Sequence, residues 1–151
     1  MIRHIFLDSS PLGLLSNPAA SPDVLAITQW SRNCIAAGHQ LYIPEVIDYE
    51  LRRELKRAGK TKGIAKLDSL KSVLNYVPLT TAAMVRAADL WADARKKGIS
   101  TGDPARLDID VILCAQALTL PVTATALIVA TSNVNHISRF VTADVWVTIA
   151  P

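Results

Sequence analysis

Ile2-Arg-His-Ile-Phe-Leu-Asp8 opens the chain, and Ala126-Leu-Ile-Val-Ala130 answers it near the other end. Each carries a short continuous apolar run that stops at polar turn formers, Asp8-Ser9-Ser10-Pro11 in one case and Thr131-Ser132-Asn133 in the other. A strand with one wet face alternates apolar and polar residues. A continuous run is buried on both faces, as in a parallel sheet covered by helices.

The segments between these runs fit that architecture. Ser9 to Pro11 is expected to turn the chain, and Ser16 to Pro22 to form a loop. Ser21 and Pro22 form a cap and first position for a helix to about Ala37, stopped by Gly38. Leu41 to Ile43 is a short strand. Pro44 opens a helix through Val46, Ile47, Leu51 and Leu55 that stops at Gly59. Further helices are expected over Gly63 to Asn75 and from Thr80 to Gly98, with a strand over Tyr76 to Leu79 between them. Ile99 to Leu107 is polar and turn-rich, and a helix capped near Asp108 runs to Leu118. Asn133 to Arg139 reads as a loop with a single turn, and Val145 to Ile149 as the last strand. Strands that alternate with helices predict one α/β domain over residues 1–150, with a mostly parallel sheet of four or five strands and right-handed crossovers. Ligands of such sheets bind beyond the carboxyl ends of the strands, where the strand order switches.

Composition removes several alternatives. The 151 residues are 50% hydrophobic and 19% charged, which excludes a disordered chain. Aromatics make up 5%, too few for a platform that stacks many bases. No leader-like hydrophobic segment is expected at the N-terminus, because only Ile5, Phe6 and Leu7 separate His4 from Asp8. Val111 to Asn135 carries no charge, but Gln116, Thr119, Pro121, Thr123, Thr125 and Thr131 argue for a helix, turn and strand rather than a membrane span. Cys34 and Cys114 have no metal-ligand spacing and read as buried thiols in a reducing cytosol. The net charge is only +3, yet eight of sixteen Lys and Arg lie between Arg52 and Lys71. That stretch is either a solvated helical face or an electrostatic footprint for a phosphate backbone.

Acidic residues gather at the positions where the fold would place chemistry. Asp8 follows the first strand, and Asn133, beside Thr131 and Ser132, follows the second clear one. Glu50 lies near the apolar face of the helix PEVIDYELRREL. Asp108 and Asp110 begin LDIDVILCAQAL, with Asp110 pressed against Val111, Ile112 and Leu113. Carboxylates this close repel unless a cation joins them. Oxygen-only ligands suit Mg²⁺ or Mn²⁺, and such clusters catalyse phosphodiester hydrolysis.

The pieces IFLDSS, IPEVIDYELRREL, LDIDVILCAQAL, IVATSNVNHISRF and VWVTI, in this order, resemble PIN-domain ribonucleases of the VapC toxin type over residues 1 to 150. The resemblance implies a three-layer α/β/α fold and a metal-dependent endoribonuclease that leaves 5′-phosphate and 3′-hydroxyl ends. It makes Asp8, Glu50 and Asp110 the core acids that hold Mg²⁺ or Mn²⁺, with Asn133 at the fourth position. Asp108 becomes an accessory acid, and Ser10 and Thr131 support the ligands by hydrogen bonds. The basic residues Arg52, Arg53, Lys56, Arg57 and Lys60 would track RNA or face an inhibitory antitoxin. A cognate antitoxin, a homodimer and a cytoplasmic location are implied as well. Ser132 departs from the pattern, since an acid often stands there, and Asn133 leaves the fourth position neutral. One metal is therefore expected to bind more tightly than a second.

Two readings of other classes remain at this stage. Asp108-Ile-Asp110 has the D-x-D spacing of a haloacid-dehalogenase-type phosphatase, although Ala105-Arg106-Leu107 is no core strand. The neutral fourth position also suits a catalytically silent module that binds RNA or protein. No G-x-G-x-x-G or G-x-x-x-x-G-K motif supports a nucleotide-binding domain. His4, His39 and His136 are scattered, with His136 read as structural or at the edge of the site. Trp30, Trp91 and Trp146 read as packing residues.

Overall fold

The computed structural model describes residues 1–98 and 104–151, with the side chains of 104–106 outside the description. Five strands form one wholly parallel sheet in the order β3-β2-β1-β4-β5. They are β1 (His4–Leu7), β2 (Gln40–Pro44), β3 (Asn75–Val77), β4 (Leu127–Ala130) and β5 (Ala143–Asp144). The helices are α1 (Ser9–Ser16), α2 (Pro22–Ala36), α3 (Glu45–Arg57), α4 (Thr61–Val73), α5 (Thr81–Lys96), α6 (Pro104–Leu118) and α7 (Val134–Ile137).

The two apolar runs are the adjacent central strands, paired Ile5 with Ile128 and Phe6 with Val129. Ile5, Phe6 and Leu7 are buried, as are all four residues of β4. Both faces of these strands are therefore covered, which makes the fold three-layered. Ile27, Leu41, Ile43, Ile47, Leu113 and Ile137 complete the main core. Among the described residues, no helix is long and apolar enough to cross a membrane.

Three local expectations are corrected. Ser9, Ser10 and Pro11 do not turn the chain; they form the first turn of α1. Asp8 caps that helix by accepting from Ser9 N–H at 2.7 Å, and a first-turn proline gives up an N–H that has no helical partner anyway. The helix expected from Asp108 begins a turn earlier, at Pro104, and Leu107 is already buried in its packing against α5. Most of the polar stretch 99–107 lies outside the described residues.

The last strand is not Val145 to Ile149. β5 is Ala143–Asp144, and Trp146–Thr148 forms a 3₁₀ turn. Trp30 on α2 explains the departure. Its indole N–H donates to Ile149 C=O at 2.8 Å and its ring packs on Trp146 with centroids 5.7 Å apart. The tail is held to a helix instead of extending the sheet.

Candidate active site at the switch in strand order

The chain runs outward from β1 through β2 to β3, then crosses back to β4 on the other side of β1. The switch point lies between the carboxyl ends of β1 and β4, where doubly wound sheets open a crevice. Asp8 directly follows one strand and Thr131 directly follows the other. Asp8 N–H donates to Ala130 C=O at 3.0 Å, so the parallel register carries through to the site residue.

Asp8 is 7% exposed, and both of its carboxylate oxygens are held. Oδ1 accepts from Ser9 N–H at 2.7 Å, and Oδ2 accepts from the Thr131 hydroxyl at 2.7 Å. The same hydroxyl oxygen accepts from Asn133 N–H at 2.9 Å. A buried carboxylate is costly unless donors meet it, and these contacts meet that need. They also fix the carboxylate's direction.

Asp110, on α6, is 5% exposed. Its place relative to Asp8 is marked by Cys114, one turn further along the helix. Burial pushes the Cys114 thiol far above its ordinary range, and the nearby Asp110 and Asp8 carboxylates push in the same direction. Two acids from separate elements thus both act on one buried thiol. Cys34, away from the acids, is pushed up to about 11 by burial.

The other expected residues take several positions. Glu50 is half-buried on α3, which packs against α6. Asn133 precedes α7, and its side-chain amide donates to His136 Nδ1 at 3.0 Å. Ser10 is exposed in the first turn of α1. Asp108 is exposed and lines a groove of about 390 Å³ between α5 and α6 with Met84, Trp91, Val111 and Ile112, apart from the Asp8 cluster. The D-x-D pair therefore sits within a helix and does not follow a strand.

Among the described residues, no three His, Cys, Asp or Glu side chains are gathered as a metal cage would gather them. The donor chemistry nonetheless fits a hard cation. Mg²⁺ keeps several waters and commonly takes only one or two carboxylates from the protein. Asp8 and Asp110 supply two, and the Thr131 hydroxyl beside Asp8 adds a neutral oxygen.

The basic stretch divides in two. Arg52 is committed to the fold: Nε donates to Asp48 at 2.9 Å and an Nη to Asp68 at 2.7 Å. Arg57 pairs with Glu54 at 2.9 Å, and Arg53 lies over the Tyr49 ring, 5.0 Å from its centroid. Lys56 and Lys60 are exposed. Lys60 and Lys62 border a groove of about 530 Å³ between the end of α1 and the α3–α4 turn, floored by Leu55 and Gly13.

Sequence reasoning missed Asp48. It is 4% exposed and carries two ion pairs, to Arg52 and to Lys71 Nζ at 3.2 Å. The spacing of four to Arg52 was its only local signal; the Lys71 partner comes from α4. Gln116, read only as a polar interruption, has a bridging role the sequence did not reveal. Its carbonyl oxygen accepts from Val46 N–H at 3.2 Å and its amide donates to Val77 C=O at 2.8 Å, which fixes α6 against the start of α3 and β3.

No protein-family model matches the chain, and no curated protein matches it. Solved structures do. VapBC2 from Rickettsia felis, bound to a DNA fragment from their promoter, superposes with a TM-score of 0.68 at 16% identity, over 95% of this chain and 98% of that one. DNA-bound VapBC from Salmonella typhimurium gives 0.64 at 17% identity, over 97% and 99%. VapBC-1 from nontypeable Haemophilus influenzae gives 0.64 at 15%, over 96% and 99%. At these identities the likeness is one of fold, and it runs nearly end to end: the chain has a PIN-like fold, shared with chains of three VapBC assemblies.

Proposed function

We propose that this chain is a Mg²⁺- or Mn²⁺-dependent endoribonuclease, the toxin of a VapBC-like pair. The observation that carries the reading is the pair of buried carboxylates, Asp8 at the switch in strand order and Asp110 on α6, whose charges both act on the Cys114 thiol. The fold shared with VapBC chains supports it.

Asp8 and Asp110 would hold the cation, with Glu50 on α3 as the third acid of the set and Asn133 as a neutral oxygen ligand. When bound, the cation supplies positive charge against the scissile phosphate and acidifies water at the site. The protein's own part is orientation. Ser9 N–H and the Thr131 hydroxyl hold the Asp8 carboxylate in one direction, so little rearrangement is needed as charge develops on the phosphate. Thr131 also ties Asn133 to Asp8 through its single hydroxyl. Lys56 and Lys60, exposed on the side of α3 and at the start of α4, would meet the RNA backbone. The natural partner would be a cognate antitoxin, and the toxin would act as a homodimer in the cytoplasm.

A second reading has its own observation. The absence of a gathered three-acid group among the described residues, with Asn133 neutral, suits a silent module that binds RNA or protein without cleaving it.

Cleavage of a labelled structured RNA by purified protein, with Mn²⁺, with Mg²⁺ and with EDTA, separates the two. Metal-dependent cutting that leaves 5′-phosphate ends supports the nuclease. RNA binding without cutting in either metal supports the silent module.

A further inference from the structure

With two buried carboxylates at the site, the neutral oxygen offered by Asn133 gains weight, and its orientation is a matter of a single torsion. The Asn133 backbone is already committed. Its N–H donates to Thr131 Oγ1 at 2.9 Å, and its C=O accepts from His136 N–H and Ile137 N–H at 3.2 Å each. The side-chain amide alone retains a choice. Its oxygen and NH₂ branches are nearly the same shape, so a neighbour must decide which one faces where.

His136 is that neighbour. It lies on α7, half-buried, with Nδ1 3.0 Å from Asn133 Nδ2. An amide NH₂ only donates, so Nδ1 is the acceptor in this contact. The carbonyl branch of Asn133 then occupies the side away from the imidazole.

We infer that His136 is a positioning residue that turns Asn133 so that its carbonyl oxygen, and not its NH₂, is offered to the cation held at Asp8 and Asp110. The inference rests on the metal-dependent reading above. It explains how a neutral amide serves at a position where an acid would need no such help: a carboxylate has oxygen on both branches, an amide on one. An NH₂ turned toward a cation would repel it. His136 touches neither substrate nor metal in this role.

The test is a double-mutant cycle on Mn²⁺ affinity, measured by calorimetry on the intact protein. Removing an outer-shell partner of a metal ligand commonly costs 10–100-fold, so His136→Ala is expected to weaken Mn²⁺ binding about 10-fold. In an Asn133→Asp background both branches are oxygen, and the same His136→Ala change should shift affinity by less than about 2-fold, a clear failure of additivity. His136→Asn, whose own amide oxygen falls near the Nδ1 position, should restore most of the loss. A purely structural role for His136 would cost the same in both backgrounds, and that result overturns the inference. So does an unchanged affinity in His136→Ala. If the unmutated protein binds no Mn²⁺ at all, the metal-dependent reading fails together with this one; if it binds and the cycle is additive, only the role of His136 fails.

Discussion

The Thr131 hydroxyl donates to Asp8 Oδ2 at 2.7 Å across the boundary between β1 and β4, joining residues 123 positions apart in the chain. Both residues are buried, and the same oxygen accepts from Asn133 N–H. One side chain thus fixes an acid from one strand end to a loop from the other. Thr131→Val removes the hydroxyl at nearly constant volume. It leaves a buried carboxylate and a backbone N–H each short of a partner, so unfolding free energy should fall by about 2–3 kcal/mol. The urea midpoint measures that loss. Thr131→Ser, which keeps the hydroxyl, should retain most of it.

Asp48 is the acid whose removal should damage the fold most. It pairs with Arg52 on its own helix and with Lys71 on α4 while the carboxylate stays 4% exposed. Arg52 keeps its pair with Asp68 and Lys71 reaches solvent, so what is lost is two charge-assisted contacts, and Asp48→Ala should cost about 1–3 kcal/mol in urea unfolding. Asp68 is the control. It also pairs with Arg52, whose guanidinium holds its carboxyl below the usual range, but it is exposed. Asp68→Asn should leave the urea midpoint nearly unchanged.

The basic residues should separate by assay. Arg52→Ala is expected to lower stability, since its guanidinium bridges Asp48 and Asp68. Lys56→Ala and Lys60→Ala should leave unfolding unchanged and weaken RNA binding, each reducing the salt slope of log K by about 1 if its ammonium meets a phosphate. Filter binding over a salt series gives both quantities.

The strand framework was legible because it depends on burial alone. Ile5-Phe6-Leu7 and Leu127 to Ala130 are apolar without interruption because both faces of their strands are covered. Asp8 and Asn133 could be placed from those runs, since each follows the end of one. The misreadings came from contacts that local pattern does not encode. Ser9-Ser10-Pro11 has turn composition, yet Asp8 caps it into a helix. Val145 to Ile149 has strand composition, yet Trp30 and Trp146 draw it onto α2. Asp108 and Asp110 were told apart in the sequence by the apolar run that follows Asp110, and the structure agrees. Two helical positions apart means nearly opposite faces, so one is exposed and the other buried.

Both cysteines are buried and unbridged, and their thiols are raised by burial, Cys34 to about 11. A raised thiol pKa in the folded state stabilises the fold below the unfolded value near 9.0. That contribution is lost as pH rises from there toward the folded value. The urea midpoint is therefore expected to fall between about pH 9 and pH 11. Thiol labelling at pH 8 should be negligible in native protein and complete after unfolding. Rapid native labelling of Cys114 would contradict its complete burial.

The most direct test of the central claim is whether Asp8 and Asp110 act as one unit. Single-turnover RNA cleavage should be compared for the unmutated protein, Asp8→Asn, Asp110→Asn and the double variant, with thermal unfolding confirming that each is folded. Residues that serve one site are grossly non-additive, so each single change should remove nearly all activity, on the order of 10³-fold, and the double change should remove little more. Substantial cleavage by either single variant, or losses that multiply in the double variant, would contradict a shared site at the switch in strand order.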